Sequence, residues 1–296
     1  MAENNIEYLL GIDGGGTKTE FLLTDLNKNE INRVVLGTSN PINIGIKNSK
    51  SILTQGIYQT CEGLNYEKIS VFAGLAGGNS KNVKSEIHRF LNGFGFGAYA
   101  NGSDTDSTLK AALKGKNGVA VIMGTGIIAL AILDKKTHRT GGWGYMIDKG
   151  GSGFCLGSDA LNAAFEFLDG RGGSELIYSL VKEHTDKPLA DSITDIYSGG
   201  AAYVASFAPI IFEAYKKGDK VAESILDRNV CEAAKTIKRG YEFSKNKVVI
   251  CGGLCRQKEI LKQFLIKYLG EDFPLEFMNG TAVEGAITLA ESNIRK

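Results

Sequence analysis

Proline is scarce in this sequence, and cysteine occurs without any recognisable spacing. Only 4 of the 296 residues are proline, whereas about 5 % is usual in soluble proteins. The cysteines include no Cys-x-x-Cys pair, and they stand at Cys61, Cys155, Cys231, Cys251 and Cys255. This spacing indicates neither a zinc site nor a disulfide framework. We therefore expect a reduced protein that works in the cytoplasm.

The sequence also lacks an excess of charge and a long apolar run. Its 34 Lys and Arg residues balance 33 Asp and Glu residues, which gives a net charge of +1. So small a charge offers no general attraction to nucleic acid or to a membrane surface. The longest apolar stretch, Gly118–Leu133, is shorter than the roughly 20 residues of a membrane-spanning helix. The first ten residues carry no basic group, unlike a signal peptide. We expect neither a nucleic-acid partner nor a membrane.

Glycine is abundant, with 38 residues in the chain, and much of it lies in turns between apolar runs. Residues 8–25 read YLLGIDGGGTKTEFLLTD, and residues 118–134 read GVAVIMGTGIIALAILD. Each segment consists of an apolar run, a turn with glycine and threonine, and a second apolar run. This pattern predicts two similar β-hairpins. Two such hairpins indicate two similarly built domains that face each other.

Helical patterns alternate with the predicted strands, which is typical of an α/β fold. Among the expected helices are one over residues 158–168 with Ser158 as its N-cap, and one over residues 201–217. We place the first domain at residues 1–117 plus a returning helix at 282–296. The second domain then covers residues 118–281.

Three glycine turns follow predicted strands, where α/β proteins bind their ligands. In the first turn, consecutive backbone N–H groups free of Cβ atoms are suited to form an anion-binding nest. Asp13, just before it, offers a hard oxygen ligand for Mg²⁺. Each turn is equally compatible with a purely structural role, but together they predict a site for nucleotide phosphates. The residues of the three turns are Gly14, Gly15, Gly16, Thr17, Lys18 and Thr19; Gly124, Thr125 and Gly126; and Gly252 and Gly253.

A pair of carboxylates stands between the two hairpins. The segment Asn101-Gly102-Ser103-Asp104-Thr105-Asp106 follows a short apolar stretch and precedes a helical pattern. Asp and Ser are favoured helix N-caps, so a structural interpretation is available. The functional interpretation is a general base that accepts a hydroxyl proton during phosphate transfer.

The ordered set of motifs resembles one family. LLGIDGGGTKTEFLL, GTSNPINIG, AGLAGG, NGSD, VIMGTG, GGWG and ICGG occur in the order seen in the BadF/BadG/BcrA/BcrD ATPase family, and within it the chain is most similar to the N-acetylglucosamine kinases. The resemblance extends over essentially the whole chain. It implies two ribonuclease-H-like, actin-like ATPase domains with a nucleotide and sugar cleft between them. It also implies an ATP- and Mg²⁺-dependent kinase of the 6-hydroxyl of an N-acetylated amino sugar, and a homodimer.

The resemblance implies roles for individual residues. The first and second turns match the two phosphate motifs, and Gly252 and Gly253 match the adenosine motif. Asp13 matches the aspartate on the metal side. Asp104 matches the catalytic aspartate, which also contacts the sugar, while Asp106 ranks second because its match needs a gap. The sugar-side positions are Asn40, Thr125 and Gly142, with Trp143 either contacting the ligand or packing near it.

The chain departs from the family pattern around the sugar. The tryptophan expected two residues after Asn40 is Ile42, and an aspartate that contacts the sugar is replaced by Lys149. A cation there suits a sugar with a carboxylate, such as N-acetylmuramic acid, although Lys149 is equally compatible with an exposed position. Asp148 is an alternative replacement for the lost aspartate. Phosphate handling is therefore expected to be intact, and the sugar pocket altered.

Two functions of other classes stay open on the sequence. Some relatives are ATPases that activate radical dehydratases through a [4Fe–4S] cluster shared across a dimer, which needs cysteine ligands. Cys155 stands in a plausible region, but no second cysteine follows it closely. The other alternative is a sugar sensor that kept the fold without catalysis. The intact aspartates and glycine turns favour the kinase.

Overall fold

The structure of the protein, a computed structural model, describes residues 5–294 apart from the Lys81 side chain. Its strands are β1 (Tyr8–Gly14), β2 (Lys18–Asp25), β3 (Glu30–Gly37), β4 (Ile69–Leu75), β5 (Ala98–Gly102), β6 (Gly118–Met123), β7 (Ile127–Leu133), β8 (Lys136–Gly141), β9 (Val248–Cys251) and β10 (Leu275–Phe277). Its helices are α1 (Pro41–Thr60), α2 (Lys81–Asn92), α3 (Asp104–Leu113), α4 (Gly153–Leu168), α5 (Glu175–Thr185), α6 (Ile193–Ser198), α7 (Gly200–Ala205), α8 (Ala208–Lys216), α9 (Lys220–Ser244), α10 (Lys258–Leu269) and α11 (Ala282–Ile294). Within this described part, every helix is too short or too polar to pass through a lipid bilayer.

The chain divides into two compact units, each with one five-stranded sheet. Unit 1 comprises Met1–Gly115 and Asn279–Lys296, and unit 2 comprises Lys116–Met278. The strand order is β3-β2-β1-β4-β5 in unit 1 and β10-β9-β6-β7-β8 in unit 2. Both sheets therefore join an antiparallel three-stranded meander to two parallel strands. The predicted α/β fold and the similar construction of the two halves are confirmed.

In unit 1, the sheet carries a hydrophobic core on each face. β1 pairs antiparallel with β2, which confirms the first hairpin, and parallel with β4, while β4 is parallel to β5. One face packs on α1 and α2 through residues such as Ile12, Phe21 and Leu53. The other face packs on α11 through Leu9, Phe72, Val283 and Ile287, and α11 also contacts α3. The last helix thus completes the unit in which the chain begins.

In unit 2, β6 and β7 form the second predicted hairpin. β9 lies parallel to β6 on its other side. The core joins this sheet to helices α4, α5, α8, α9 and α10. The ends of β6 and β9 are neighbours, since Ile122 is in register with Cys251. The second and third glycine turns consequently leave the sheet side by side.

Two helix boundaries differ from those expected. α4 begins at Gly153, because Ser152, and not Ser158, accepts a hydrogen bond from the backbone N–H of Cys155 at 3.2 Å. Gly157 lies inside this helix because a Cβ there would stand 1.9 Å from the Val204 carbonyl oxygen. Packing therefore outweighs the low helix propensity of glycine. The single helix expected over residues 201–217 is two helices, since Pro209 in the first turn of α8 has no N–H to continue α7.

Candidate active site

The candidate site in unit 1 lies where three parallel strands end. Asp13 on β1 is in register with Gly74 on β4, and Gly74 is in register with Gly102 on β5. Paired residues in a sheet point to the same face. A Cβ at Gly74 would stand 2.2 Å from Ser107 Oγ and 2.9 Å from the Ser103 carbonyl oxygen. The missing side chain at this position allows the first turn of α3 to lie directly on the sheet edge.

Two carboxyl groups, those of Asp13 and Asp104, are brought together at this edge. Burial raises the pKa of Asp13 from its ordinary value to about 7, and repulsion from Asp104 and Glu20 adds to the rise, whereas Lys18 opposes it. Burial also raises the pKa of Asp104, although hydrogen bonds from Thr105 favour its charged form. Carboxyl groups with raised pKa values at the end of a sheet are typical of functional sites.

The Asp13 carboxyl group has the properties of a metal ligand. Its Oδ1 is out of reach of solvent and has no hydrogen-bond partner among the described residues. A buried anionic oxygen without a donor is costly unless a cation or another group satisfies it. Mg²⁺ prefers oxygen ligands and is commonly held by one or two carboxylates together with substrate phosphates. The residues present therefore fit Mg²⁺ at Asp13.

The two aspartates at the start of α3 have different roles. Ser103 is the N-cap, and its hydroxyl accepts from the Asp106 backbone N–H at 3.2 Å. Asp106 Oδ2 accepts in return from the Ser103 backbone N–H at 2.8 Å, which completes a capping box. Asp104 takes no part in this cap. The structural interpretation of the segment thus applies to Ser103 and Asp106, and the Asp104 carboxyl group is not part of the capping box.

Asn40 lies beside the first glycine turn. Thr38 Oγ1 donates to the Gly15 carbonyl at 2.9 Å and accepts from the Asn40 backbone N–H at 3.1 Å. Asn40 Oδ1 caps α1 by accepting from the Ile42 backbone N–H at 2.9 Å. The Asn40 side chain is therefore fixed, and its position follows the position of the turn.

The remaining side chains of the first turn differ in accessibility. Gly16, Thr17 and Lys18 are exposed. Thr19 is buried, and its hydroxyl donates to the Gly37 carbonyl at 2.9 Å, joining β2 to β3. The side chains of Thr17 and Lys18 are therefore accessible from solvent, whereas that of Thr19 is not.

In unit 2, the second and third turns are built mainly from backbone. The carbonyls of Gly124 and Thr125 accept from the first N–H groups of α4, those of Gly153 at 2.7 Å and Phe154 at 3.1 Å. Gly252 has φ +100°, and a Cβ there would stand 2.5 Å from the Met123 carbonyl oxygen. Only glycine fits at this position without strain. The helix α4 and the end of β6 therefore fix both turns.

The segment from Gly142 to Lys149 lies at the surface of unit 2. Trp143 is 63 % exposed, so it is not a packing residue, and the Arg139 guanidinium lies 4.3 Å from its ring centroid. Asp148 Oδ2 accepts from the Gly144 backbone N–H at 3.2 Å and closes the loop. Lys149 is exposed and forms no ion pair within the described residues. Asp148 and Lys149 are the two candidates to replace the aspartate of the family pattern. The Asp148 carboxylate is engaged within the loop, whereas the Lys149 ammonium group has no ion-pair partner within the described residues.

Two residues of the site were missed on the sequence, Gly74 and Ser107. Gly74 stands in the AGLAGG motif, but nothing local shows that its missing side chain admits α3. Within its helix, Ser107 is an ordinary position. Only the packing of α3 on the sheet brings its hydroxyl next to Gly74. The contact between them joins residues far apart in the chain, so local patterns cannot indicate it.

The comparison with known families agrees with this geometry. The model of the BadF/BadG/BcrA/BcrD ATPase family matches residues 10–281. The chain belongs to this family. The match spans the first turn and Asp104 in unit 1 and the second and third turns in unit 2.

Relatives of this BadF/BadG/BcrA/BcrD ATPase family member align over nearly their full length. An N-acetylmuramic acid/N-acetylglucosamine kinase from Clostridium acetobutylicum is 29% identical, covering 97% of this chain and 99% of the relative. An N-acetyl-D-glucosamine kinase from Dictyostelium discoideum is 28% identical over 93% of this chain and 94% of the relative. A solved structure from Chromobacterium violaceum, provisionally named N-acetylglucosamine kinase, is 25% identical with a TM-score of 0.79, covering 97% and 99%.

The raised pKa of Asp13 predicts a pH dependence of stability in the metal-free protein. Between about pH 4 and pH 7 the folded protein keeps a proton that the unfolded chain has released, so the free energy of unfolding falls as pH rises. Asp13→Asn removes this contribution. We expect the free energy of unfolding, measured with urea over this pH range, to decline less steeply in the variant than in the wild type. The difference in slope should be up to about 1.4 kcal/mol per pH unit.

The control for this prediction is Asp25→Asn. Hydrogen bonds from Asn29 lower the pKa of Asp25. The stabilising contribution of this group is therefore lost only when the pH falls below the pKa that Asp25 has in the unfolded chain. In Asp25→Asn, the slope of the free energy of unfolding against pH should stay as in the wild type between about pH 5 and pH 7. Equal slopes for Asp13→Asn and the wild type would show that Asp13 titrates normally.

Proposed function

We propose that the protein is an ATP- and Mg²⁺-dependent kinase that phosphorylates the 6-hydroxyl of an N-acetylated amino sugar, N-acetylglucosamine, N-acetylmuramic acid or both. The observation that carries the proposal is the meeting of Asp13 and Asp104 at one sheet edge, directly before the turn Gly14–Thr19. Phosphoryl transfer to an alcohol needs a metal-binding carboxylate, a proton acceptor and phosphate-binding amides. The names of the relatives support this reaction.

Asp104 is the proposed general base. It accepts the proton of the sugar hydroxyl as the hydroxyl oxygen bonds to the γ-phosphorus and the bond to the bridging oxygen of ADP breaks. The products are the sugar 6-phosphate and ADP. A carboxylate whose pKa is raised by burial is a stronger base than one in water. Asp106 is unsuited to this role because its carboxylate is held in the capping box.

The nucleotide is the proposed ligand of the glycine turns. Bound Mg²⁺ neutralises charge on the phosphates, and Asp13 is the residue that would hold it. In the first turn, backbone N–H groups and the exposed side chains of Thr17 and Lys18 are proposed to bind phosphate oxygens. Gly124–Gly126 form the second phosphate contact, and Gly252 with Gly253 contact the adenosine. The close backbone packing at Gly252 supports a preformed turn.

The sugar is proposed to contact Asn40, Asp104, Thr125, Gly142 and Trp143. The fixed Asn40 side chain and the exposed Trp143 ring support these assignments. We further propose that Lys149 pairs with the carboxylate of N-acetylmuramic acid. The relative from C. acetobutylicum is named for both sugars, and the free charge of Lys149 is suited to the acidic one. We also propose that the protein works in the cytoplasm as a homodimer.

The proposal predicts sugar-dependent release of ADP. We expect turnover with ATP and Mg²⁺ in the presence of N-acetylglucosamine or N-acetylmuramic acid, and much less with glucosamine, N-acetylmannosamine or glucose. A coupled assay of ADP measures it against a blank without sugar. ADP release that is equal in the blank would favour an ATPase activator, and sugar binding without any ADP release would favour a sensor.

Asp104→Asn should abolish most of the turnover. Loss of a general base typically lowers the rate by 10² to 10⁴-fold, so we expect kcat to fall at least ~10²-fold while ATP binding is kept. The matched control is Asp106→Asn, two residues away, whose amide oxygen still accepts from Ser103. It should stay within a few-fold of wild-type kcat. Similar losses in both variants would indicate damage to α3 and overturn the assignment to Asp104.

Lys149→Gln should change which sugar is preferred. Loss of one charge-assisted hydrogen bond, about 1.5 kcal/mol, lowers kcat/KM for N-acetylmuramic acid about 10-fold. The value for N-acetylglucosamine, which has no carboxylate, should not change. Lys262→Gln, at another exposed lysine of unit 2, is the control. A parallel loss for both sugars would contradict carboxylate recognition by Lys149.

A further inference from the structure

Arg139 contacts the chain just where β8 ends and the exposed loop of unit 2 begins. Its Nε donates to the Gly141 carbonyl at 2.9 Å, and its Nη2 donates to the Gly142 carbonyl. Its guanidinium carbon lies 4.3 Å from the centroid of the Trp143 ring. Arg139 itself lies on β8, in register with Leu130 of β7. One side chain on a paired strand therefore contacts both the backbone that leads into the loop and the ring that the loop presents.

The backbone is held on both sides of Trp143. Before it, Gly142 has φ +72°, and a Cβ there would stand 2.8 Å from Ile128 Cδ1, so only glycine lets the chain lie this close to β7. After it, the Gly144 backbone N–H donates to Asp148 Oδ2 at 3.2 Å. With the backbone fixed at both ends, the freedom that remains at Trp143 is that of its side chain, and this side chain is the one that Arg139 contacts.

The Trp143 ring stays available to a ligand in spite of this contact. A guanidinium group is planar and stacks on an aromatic ring, where a cation–π attraction holds it. A group of this shape covers one face of the ring, and Trp143 is still 63 % exposed. Sugar rings carry C–H groups on their faces, and such a face packs on the apolar body of an indole. The arrangement therefore presents an ordered aromatic surface of the kind that a sugar contacts.

We propose that Arg139 is a positioning residue, which orders the Trp143 ring for the sugar before the sugar binds. The inference rests on the proposed function, which places the sugar at Gly142 and Trp143. An exposed side chain without such a contact changes rotamer within picoseconds to nanoseconds. Ordering it on binding then lowers the affinity for the ligand. Because Arg139 orders the ring already in the free protein, the affinity for the sugar is higher.

The first test measures the order of the ring directly. The sequence contains one tryptophan, so fluorescence excited where tyrosine does not absorb reports on Trp143 alone. In Arg139→Ala the fluorescence anisotropy of the ligand-free protein should fall, because the ring then moves during the nanosecond lifetime of its excited state. The matched control is Arg239→Ala, since the Arg239 guanidinium lies 4.5 Å from the Phe243 ring centroid in the same unit. The control should keep the anisotropy of the wild type, and an unchanged anisotropy in Arg139→Ala would overturn the proposal.

The second test measures sugar binding by calorimetry without nucleotide, with N-acetylglucosamine and N-acetylmuramic acid as the probes. In Arg139→Ala we expect Kd to rise about 3- to 10-fold for both sugars, the range for ordering one side chain on binding. In a Trp143→Ala background, Arg139→Ala should have no further effect, because Arg139 acts through the ring. A Kd equal to that of the wild type in Arg139→Ala, or an equal loss in both backgrounds, would overturn the positioning role.

These measurements separate the inference from the proposed function. Arg139 is exposed, so its replacement should leave the protein folded, and urea unfolding checks this. Sugar binding tests the inference even where no phosphate is transferred. A wild-type protein that binds neither sugar would contradict the proposed function and, with it, the use of the ring for a sugar. Sugar binding that is equally tight in the wild type and in Arg139→Ala would contradict the inference alone.

Discussion

The candidate site depends on the cost of burying the Asp13 carboxyl group without a positive partner. Burial and the nearby carboxylates raise its pKa to about 7, so the folded protein holds this group in an unfavourable state. A structural role would favour an apolar residue here, since an unpaired buried charge is destabilising. The cost is understandable if a cation joins the site during function. The surrounding backbone then has to hold the carboxylate in place before the cation arrives.

Glycine meets this requirement at several points of unit 1. Gly74 admits the first turn of α3 to the sheet edge, and Gly285 on α11 lets the Ser107 carbonyl approach within 2.0 Å of where its Cβ would stand. Gly11 allows α11 to lie against β1 in the same way. Close packing of this kind leaves little freedom for α3 to shift. The position of Asp104 is thus set by contacts that include the returning C-terminal helix.

The sequence was sufficient for the features that depend on local pattern. Both hairpins follow from the apolar runs and the turns between them. The choice of Asp104 over Asp106 came from the resemblance to the family and stays a prediction, while the structure shows Asp106 in the capping box. One error was local, since Pro209 in the sequence already disfavours a single helix over residues 201–217. Other errors arose where contacts between distant residues decide. α4 includes Gly157 because that residue packs against Val204, and the contact of Ser107 with Gly74 depends on a strand about thirty residues earlier. Helix propensity and spacing contain no information on such contacts.

The two units have similar sheet topology but present different chemical groups at the corresponding sheet edge. In unit 1 the sheet edge presents carboxyl groups whose geometry is fixed by the core. In unit 2 the corresponding edge presents backbone turns and, farther along the chain, an exposed loop with Trp143 and Lys149. Substitution in an exposed loop costs little stability, whereas substitution beside Gly74 disturbs packed backbone. The departures from the family pattern at Ile42 and Lys149 are both at exposed positions. Substitutions at these exposed positions are therefore tolerated more easily than substitutions at the packed sheet edge of unit 1.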